Sequence, residues 1–306
     1  MTTANLVKMS DYEPIVAMVL DGLDSPQSRR AYRRALVDFL DWYAQNGNRL
    51  DKATANRYKG VLEAQGLSPS SINQRLSAIR KLSSEAADNG LLDPTLAAGI
   101  SKVKGTRQEG NRAGNWLTRD QAQRLLDAPD TATLRGARDR AILAVLLGCG
   151  LRRAEVTILT FEHIQQRDGR WVIVDLVGKR KRIRSIPMPS WAKAAIDRWS
   201  EVSGLTSGSV FTSLRKGGAI DIKRNLSPQA IFDVVRHYAE KVGVVIAAHD
   251  LRRTYAKLAH QGGARLEQIQ LSLGHASLKT TEVYLGLEQD LNDAPCDHLG
   301  LTLRPD

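Results

Sequence analysis

Cysteine is almost absent from this chain: two occur in 306 residues, Cys149 and Cys296, in no metal-binding or redox spacing. That excludes a disulfide framework and argues against a thiolate metal site. The histidines, His163, His237, His249, His260, His275 and His298, show no HExxH-type pairing, so no metal is expected. Long apolar runs are also missing. The longest, Ala141 to Leu151, has eleven residues, short of the roughly 20 that a membrane-spanning helix needs. Near the N-terminus, Ile15 to Leu20 is too brief for the apolar part of a signal peptide, and Asp11 and Glu13 interrupt the start. The expectation is a soluble, cytoplasmic protein with no membrane partner.

Acid is scarce relative to base. Lys and Arg number 44 against 33 Asp and Glu, a formal net charge of +11, while the hydrophobic share of 42% and charged share of 25% are those of a globular protein. Such an excess favours a polyanionic partner, either nucleic acid or an acidic membrane surface. The length suffices for two ordinary domains, each with its own core.

The first hundred residues read as a small all-helical domain. A helix starts at Ser25 with Pro26 in its first turn, and Tyr32, Leu36, Phe39, Leu40 and Tyr43 form its apolar stripe. A second is expected over Lys52 to Gln65, ending at Gly66. Ser68-Pro69 starts a third, with Ile72, Leu76, Ile79 and Leu82 inward and Arg75, Arg80 and Lys81 outward. Arg29, Arg30, Arg33 and Arg34 crowd the first of these helices. A charge run on a helix is usually a solvated face, yet together these cations suit contact with backbone phosphates. Residues 101–115 read as a linker loosened by Gly105, Gly110 and Gly114 and made basic by Lys102, Lys104, Arg107 and Arg112.

A second domain then spans residues 116–306. Thr118 is a natural N-cap for a helix to Leu126, and residues 138–147 form an apolar, central helix closed by Gly148 and Gly150. In the next helix, Arg152 to Leu159, Arg152 shares a stripe with Val156 and Leu159. A guanidinium there needs a partner, and Glu155 is spaced to supply one. Such a pair is either structural or an anion-binding device. Trp171 to Leu176 and Arg182 to Met188 read as a β-hairpin whose tip carries Lys179, Arg180, Lys181, Arg182 and Arg184. It is either an edge protected by charge or a finger laid along DNA. Helices are expected again over 191–203 and 227–242.

The stretch from His249 to Tyr284 gathers the most chemistry. His249-Asp250-Leu251-Arg252-Arg253 opens an amphipathic helix with Leu251, Tyr255 and Leu258 on its apolar face, and Gly262-Gly263 ends it. Leu266 to Leu273 is a second short helix, with Gly274 as its C-cap just before His275. Ser277 caps a third that carries Tyr284. Arginine matches phosphate oxygens bidentately, histidine can donate near neutral pH, and a phenol is an oxygen nucleophile once its proton leaves. That inventory suits attack on a phosphodiester.

The order is therefore Arg152 in GLRRAE, Lys179 after Gly178, His249-x-x-Arg252, Leu273-Gly274-His275 and Tyr284. In that order and at those intervals the chain resembles the tyrosine recombinase (phage integrase) family, as a Xer-like two-domain member, over nearly its whole length. The resemblance implies a mainly α fold with a small antiparallel β-sheet in the catalytic domain and a SAM-like helical core-binding domain before it. It implies that Tyr284 attacks a DNA phosphate to give a 3′-phosphotyrosyl link and a free 5′-hydroxyl. Arg152, Arg252 and His275 would stabilise the non-bridging oxygens, Lys179 would protonate the departing 5′-oxygen, His249 would assist proton transfer at the tyrosine, and Glu155 would orient its neighbours. No cofactor is implied, because the phosphotyrosine stores the bond energy.

The implied partner is double-stranded DNA carrying specific recombination sites, bound by a homotetramer that exchanges strands through a Holliday junction, with an accessory DNA-bending protein left open. The tail after Tyr284, interrupted by Pro295, would hold only a short docking helix, and no room is expected for an extra N-terminal arm-site domain. The chain departs from the family at Ala154, at Ala247-Ala248 and at Arg180, the last leaving Lys181 as a rival to Lys179. Tyr255 is a weaker rival to Tyr284, since it lies on an apolar stripe. A type IB topoisomerase would use similar residues, and a relative that only binds DNA is the remaining alternative.

Overall fold

A computed structural model describes residues 12–46, 49–107, 115–177, 183–215, 219–275 and 277–285, with the side chains of Tyr12, Lys223, Val283 and Tyr284 outside that description. The chain divides into two compact units, residues 1–110 and 111–306.

The first unit holds five helices among the described residues: α1 (Tyr12–Asp21), α2 (Pro26–Asn46), α3 (Lys52–Ala64), α4 (Pro69–Asp88) and α5 (Pro94–Ser101). Their starts are set by side chains that accept from orphan backbone N–H groups: Asp51 from Thr54, Ser68 from Ser71, and Asp93 from Thr95. Proline occupies the first helical position of α2, α4 and α5, where its missing N–H costs nothing. Leu36, Phe39, Tyr58, Leu62, Ile72, Leu76 and Ile79 form the core, each 3% exposed or less. Full burial of one such aliphatic or Phe side chain contributes about 1.5–3 kcal/mol.

The structure adds two helices that the sequence pattern did not announce. Helix α1 comes from the apolar stretch weighed above as a signal segment. Val16, Val19 and Leu20 make it amphipathic, and they are buried in the same core. Helix α5 is eight residues long and contributes Ala97 and Ile100.

The placement of Arg75, Arg80 and Lys81 outside is corrected: all three are part-buried and taken up within the unit. Arg75 pairs with Asp38 at 2.6 Å, Arg80 donates to the carbonyl of Val103 at 2.5 Å, and Lys81 pairs with Glu85 at 2.8 Å. The start of the expected linker also differs. Ser101 ends α5, Val103 is buried, and Asn73 exchanges two hydrogen bonds with the backbone of Thr106, at 3.0 and 2.9 Å. Residues 101–106 therefore pack on the first unit; Gly110, Arg112 and Gly114 lie outside the described residues. Arg29, Arg30, Arg33, Arg34, Lys102 and Lys104 are exposed.

The second unit is built on α7 (Leu134–Gly148), whose residues 141–146 are all buried. The pattern there is apolar on every face, as a central helix requires. Around it lie α6 (Arg119–Asp127), α8 (Arg153–Thr157), α9 (Ser190–Ser203), α10 (Pro228–Lys241) and α11 (Ala248–Gln261), followed by α12 (Leu266–Leu273) and α13 (Leu278–Leu285). Thr118 accepts from Gln121 and Gln121 reciprocates, a capping box that starts α6.

The expected hairpin is present as β2 (Arg170–Val177) and β3 (Ile183–Pro187), antiparallel, with Ile173 opposite Ile186. It is part of a three-stranded sheet of order β1-β2-β3, because β1 (Ile164–Arg167) pairs with β2 through a turn at Asp168-Gly169. Polar Gln165 and Gln166 hide β1 from an alternation test. A second, two-stranded sheet joins β4 (Thr212–Leu214) and β5 (Ile220–Asn225). The mainly helical fold with small antiparallel sheets stands. Among the described residues no helix is long and apolar enough to cross a membrane.

Candidate active site

Helix α12 ends where the site begins. The last carbonyls of an α-helix have no intrahelical partner and carry the negative end of its dipole. Here arginine donors satisfy two of them. The carbonyl of Ser272 accepts from Arg184 Nε at 3.0 Å, and that of Leu273 accepts from Arg152 Nη2 at 3.3 Å and from Arg252 Nη2. Gly274 then turns the chain at φ +62°, and a Cβ there would stand 3.0 Å from Arg184 Cδ, so the approach depends on glycine. Directly after that turn comes His275.

On their other side the same arginines face Glu155, which is 3% exposed. Arg152 is the N-cap residue of α8 rather than a member of its stripe. Glu155, one turn on, accepts from its backbone N–H at 2.8 Å and its Nη1 at 2.7 Å. Arg184 meets both carboxylate oxygens at 2.9 Å, a fork-to-fork pair, and Arg252 Nη1 lies 3.9 Å from Oε2. Burial by itself would raise the Glu155 pKa. Hydrogen bonds from Arg184 and the Arg152 backbone, with the charges of both arginines, outweigh it and hold the carboxyl below its usual value. One buried carboxylate is thus shared by three guanidiniums, which leaves the cluster with excess positive charge.

The arginines differ in access. The side chain of Arg252 is 1% exposed, with Nη1 on the carbonyl of Gly150 at 2.6 Å, whereas that of Arg152 is 28% exposed. Gly150 is itself constrained: its φ is +60°, and a Cβ would sit 2.7 Å from the Tyr255 ring. Gly150→Ala combines left-handed strain with a ring clash and is expected to cost about 3 kcal/mol of stability, read from denaturant midpoints. A loss below about 1 kcal/mol would show that the turn relaxes freely.

Two histidines border the cluster. His249 is exposed on the first turn of α11, and His275 is half-buried with Nδ1 3.0 Å from Thr281 Oγ1. Desolvation first, then the positive charges of Arg252 and Arg253, hold His249 below the usual imidazole range. Desolvation, Arg252 and Arg152 push His275 down to about 4, so at neutral pH this ring is uncharged. Unfolded, it would titrate near 6.5. As pH falls from about 6.5 towards 4 the unfolded chain binds a proton that the folded chain refuses, and stability is lost in that window. His275→Gln is expected to lose less stability than wild type between pH 8 and pH 5 in urea titrations; equal losses would contradict the assignment.

Of the residues expected from sequence, the structure brings Arg152, Glu155, Arg252, His249 and His275 into one neighbourhood. Helix α13 carries the backbone of Tyr284 beside them, packing on α11 and α12. Lys179, Arg180, Lys181 and Arg182 lie outside the described residues. Tyr255 is part-buried in a small cluster with Ala256, Ile269, Leu273 and Leu285. Arg184 was missed as a site residue, seen only as one more cation at the hairpin tip. The signal was there: on β3 it shares the inward face with Ile186, two residues on. Thr281 was missed too, as an unremarkable helix residue.

Comparison with known proteins agrees over most of the chain. The model of the phage integrase family matches residues 115–290, and that of the phage integrase N-terminal SAM-like domain matches residues 21–90. The tyrosine recombinase XerC of Chromohalobacter salexigens is 32% identical over 289 residues, covering 90% of this chain and 91% of that protein. XerC of Xanthomonas campestris is 29% identical over 287 residues, covering 92% and 85%. Among solved structures, XerH recombinase bound to palindromic difH substrate in a post-cleavage complex superposes with a TM-score of 0.72 at 19% identity, covering 92% of this chain and 82% of that one. A lambda integrase dimer bound to a COC′ core site gives 0.67 at 16% identity, covering 92% and 96%.

Proposed function

This chain belongs to the phage integrase family, the tyrosine recombinases that cleave and rejoin DNA at specific sites, and from that premise we propose how its own residues perform the reaction. The observation that carries the reading is the shared clamp: three arginines held between one buried carboxylate and the C-terminus of α12, beside the helix that bears Tyr284.

Tyr284 attacks the scissile phosphate, and the phenol loses its proton with help from His249. The phosphorus–oxygen bond to the 5′-oxygen breaks, the DNA 3′-phosphate becomes esterified to the tyrosine, and the 5′-oxygen leaves with a proton from Lys179, or from Lys181 in its place. Charge building on the non-bridging oxygens meets Arg152 and Arg252, already fixed by Glu155 and by carbonyls, so little reorganisation is needed when it develops. Neutral His275 adds a hydrogen-bond donor. Glu155 orients the clamp, and Arg184 locks Glu155. No nucleotide is required for resealing, because the free 5′-hydroxyl reverses the same ester exchange.

The partner is double-stranded DNA bearing a recombination site. Exposed Arg29, Arg30, Arg33, Arg34, Lys102 and Lys104 supply backbone contacts in the first unit, while Arg75, Arg80 and Lys81 serve its internal packing. The working assembly is a homotetramer that passes through a Holliday junction in the cytoplasm. Trapping tests the whole: the chain incubated with genomic fragments should yield a denaturant-stable protein–DNA adduct, and sequencing the captured DNA should return one recurrent site. A paired-site assay on that duplex should yield junctions; relaxation of supercoils without junctions would favour topoisomerase chemistry.

A further inference from the structure

We propose that Thr281 is the positioning residue that sets the tautomer of His275, holding Nδ1 as acceptor so that Nε2 carries the proton. The inference rests on the reading of His275 as a phosphate donor. A neutral imidazole has one proton for two nitrogens, and the hydrogen bond made by one nitrogen decides which of them keeps it. Thr281 Oγ1 lies 3.0 Å from Nδ1, and the threonine is 0% exposed. A hydroxyl can give or accept. As donor to Nδ1 it satisfies its own buried proton and the ring's lone pair in one bond. In the reverse sense its proton would have to find another acceptor inside the fold.

The bias is needed because the ring's charged neighbours disfavour a proton on it. His275 faces the cations of Arg252, Arg152 and Arg184, with His249 nearby. Without DNA their positive charge disfavours a proton on the ring nitrogen that meets it, and a bare Nε2 is the wrong form for gripping a phosphate oxygen. Thr281 corrects this from behind. It sits on α13, one turn before Tyr284, so the packing that delivers the nucleophile also orients the histidine.

The test uses the full chain and a suicide duplex of the site recovered by adduct sequencing. Thr281→Val should slow covalent cleavage about tenfold, the scale typical of losing a group that orients a histidine ligand, and Thr281→Ser should restore it. In a His275→Ala background, itself slow, Thr281→Val should cost nothing further. Nitrogen-15 spectra of the DNA-free protein should show His275 protonated on Nε2 in wild type and shifted towards Nδ1 protonation in Thr281→Val. An undiminished Thr281→Val loss without the histidine, wild-type cleavage by Thr281→Val, or an Nδ1-protonated wild type would each overturn the inference. Wild-type cleavage by His275→Ala would instead bring down the underlying reading of the site.

Discussion

Tyr284→Phe is expected to bind the recombination site as wild type does and to form no covalent adduct at all. The substitution removes one oxygen from α13 and leaves every described contact of that helix in place: Thr281 with His275, and Leu285 buried among Ala256, Ile269 and Leu273. On the proposed reading the phosphate is held by the arginine clamp and by the exposed cations of the first unit, all of which the substitution leaves in place, so binding by gel shift should hold. Water would be a poor substitute nucleophile: on the proposed reading α13 carries the attacking oxygen to the phosphate, and the substitution leaves none on that helix for His249 to deprotonate. The loss is therefore qualitative, and no longer incubation recovers it. Denaturing gels read the adduct directly, and Tyr255→Phe is the control. An adduct persisting in Tyr284→Phe and vanishing in Tyr255→Phe would move the nucleophile to the buried ring.

The arginines give the second large effect, split between two quantities. Arg152 is the more accessible, and Arg152→Ala should chiefly slow cleavage, by about 10²–10³, or roughly 3–4 kcal/mol of transition-state stabilisation, on the scale of a lost oxyanion donor. Arg252 is buried, donates to the carbonyls of Gly150 and Leu273, and lies near Glu155. Arg252→Ala strips those acceptors at once and should cost about 3–5 kcal/mol of folding stability besides the cleavage defect. Lysine cannot replace its planar fork, so Arg252→Lys should stay slow while recovering part of the stability. Urea midpoints and single-turnover cleavage separate the two effects. Arg252→Ala with wild-type stability, or Arg152→Ala with wild-type cleavage, would dissolve the clamp.

Much of this cluster is legible in the sequence. The 3.6-residue periodicity of α11 and the glycines after α11 and α12 placed three short helices correctly, because such signals act within a few residues along the chain. The Arg152–Glu155 pair was legible for the same reason, at a spacing of one turn. Arg184 was not, since its partner is 29 residues away and the hairpin offers several cations with nothing local to rank them. Arg75 and Arg80 show the converse. They read as an outward basic face, yet their partners lie 37 and 23 residues off, and only packing brings these together.

What the chain's order of residues determined by itself was the inventory and its spacing: the motif series from Arg152 to Tyr284, the family it signals, and the helix ends that glycine and hydroxyl caps impose. The tertiary structure alone decided which cations are committed and to what. Arg75 and Arg80 are consumed within the first unit by Asp38 and the carbonyl of Val103. Arg152, Arg184 and Arg252 converge on a single carboxylate, and a threonine stands behind His275. The reason is physical. A cap or a turn is settled by neighbours in sequence, whereas neutralising a buried charge needs a partner at about 3 Å, and the path of the whole chain sets that distance.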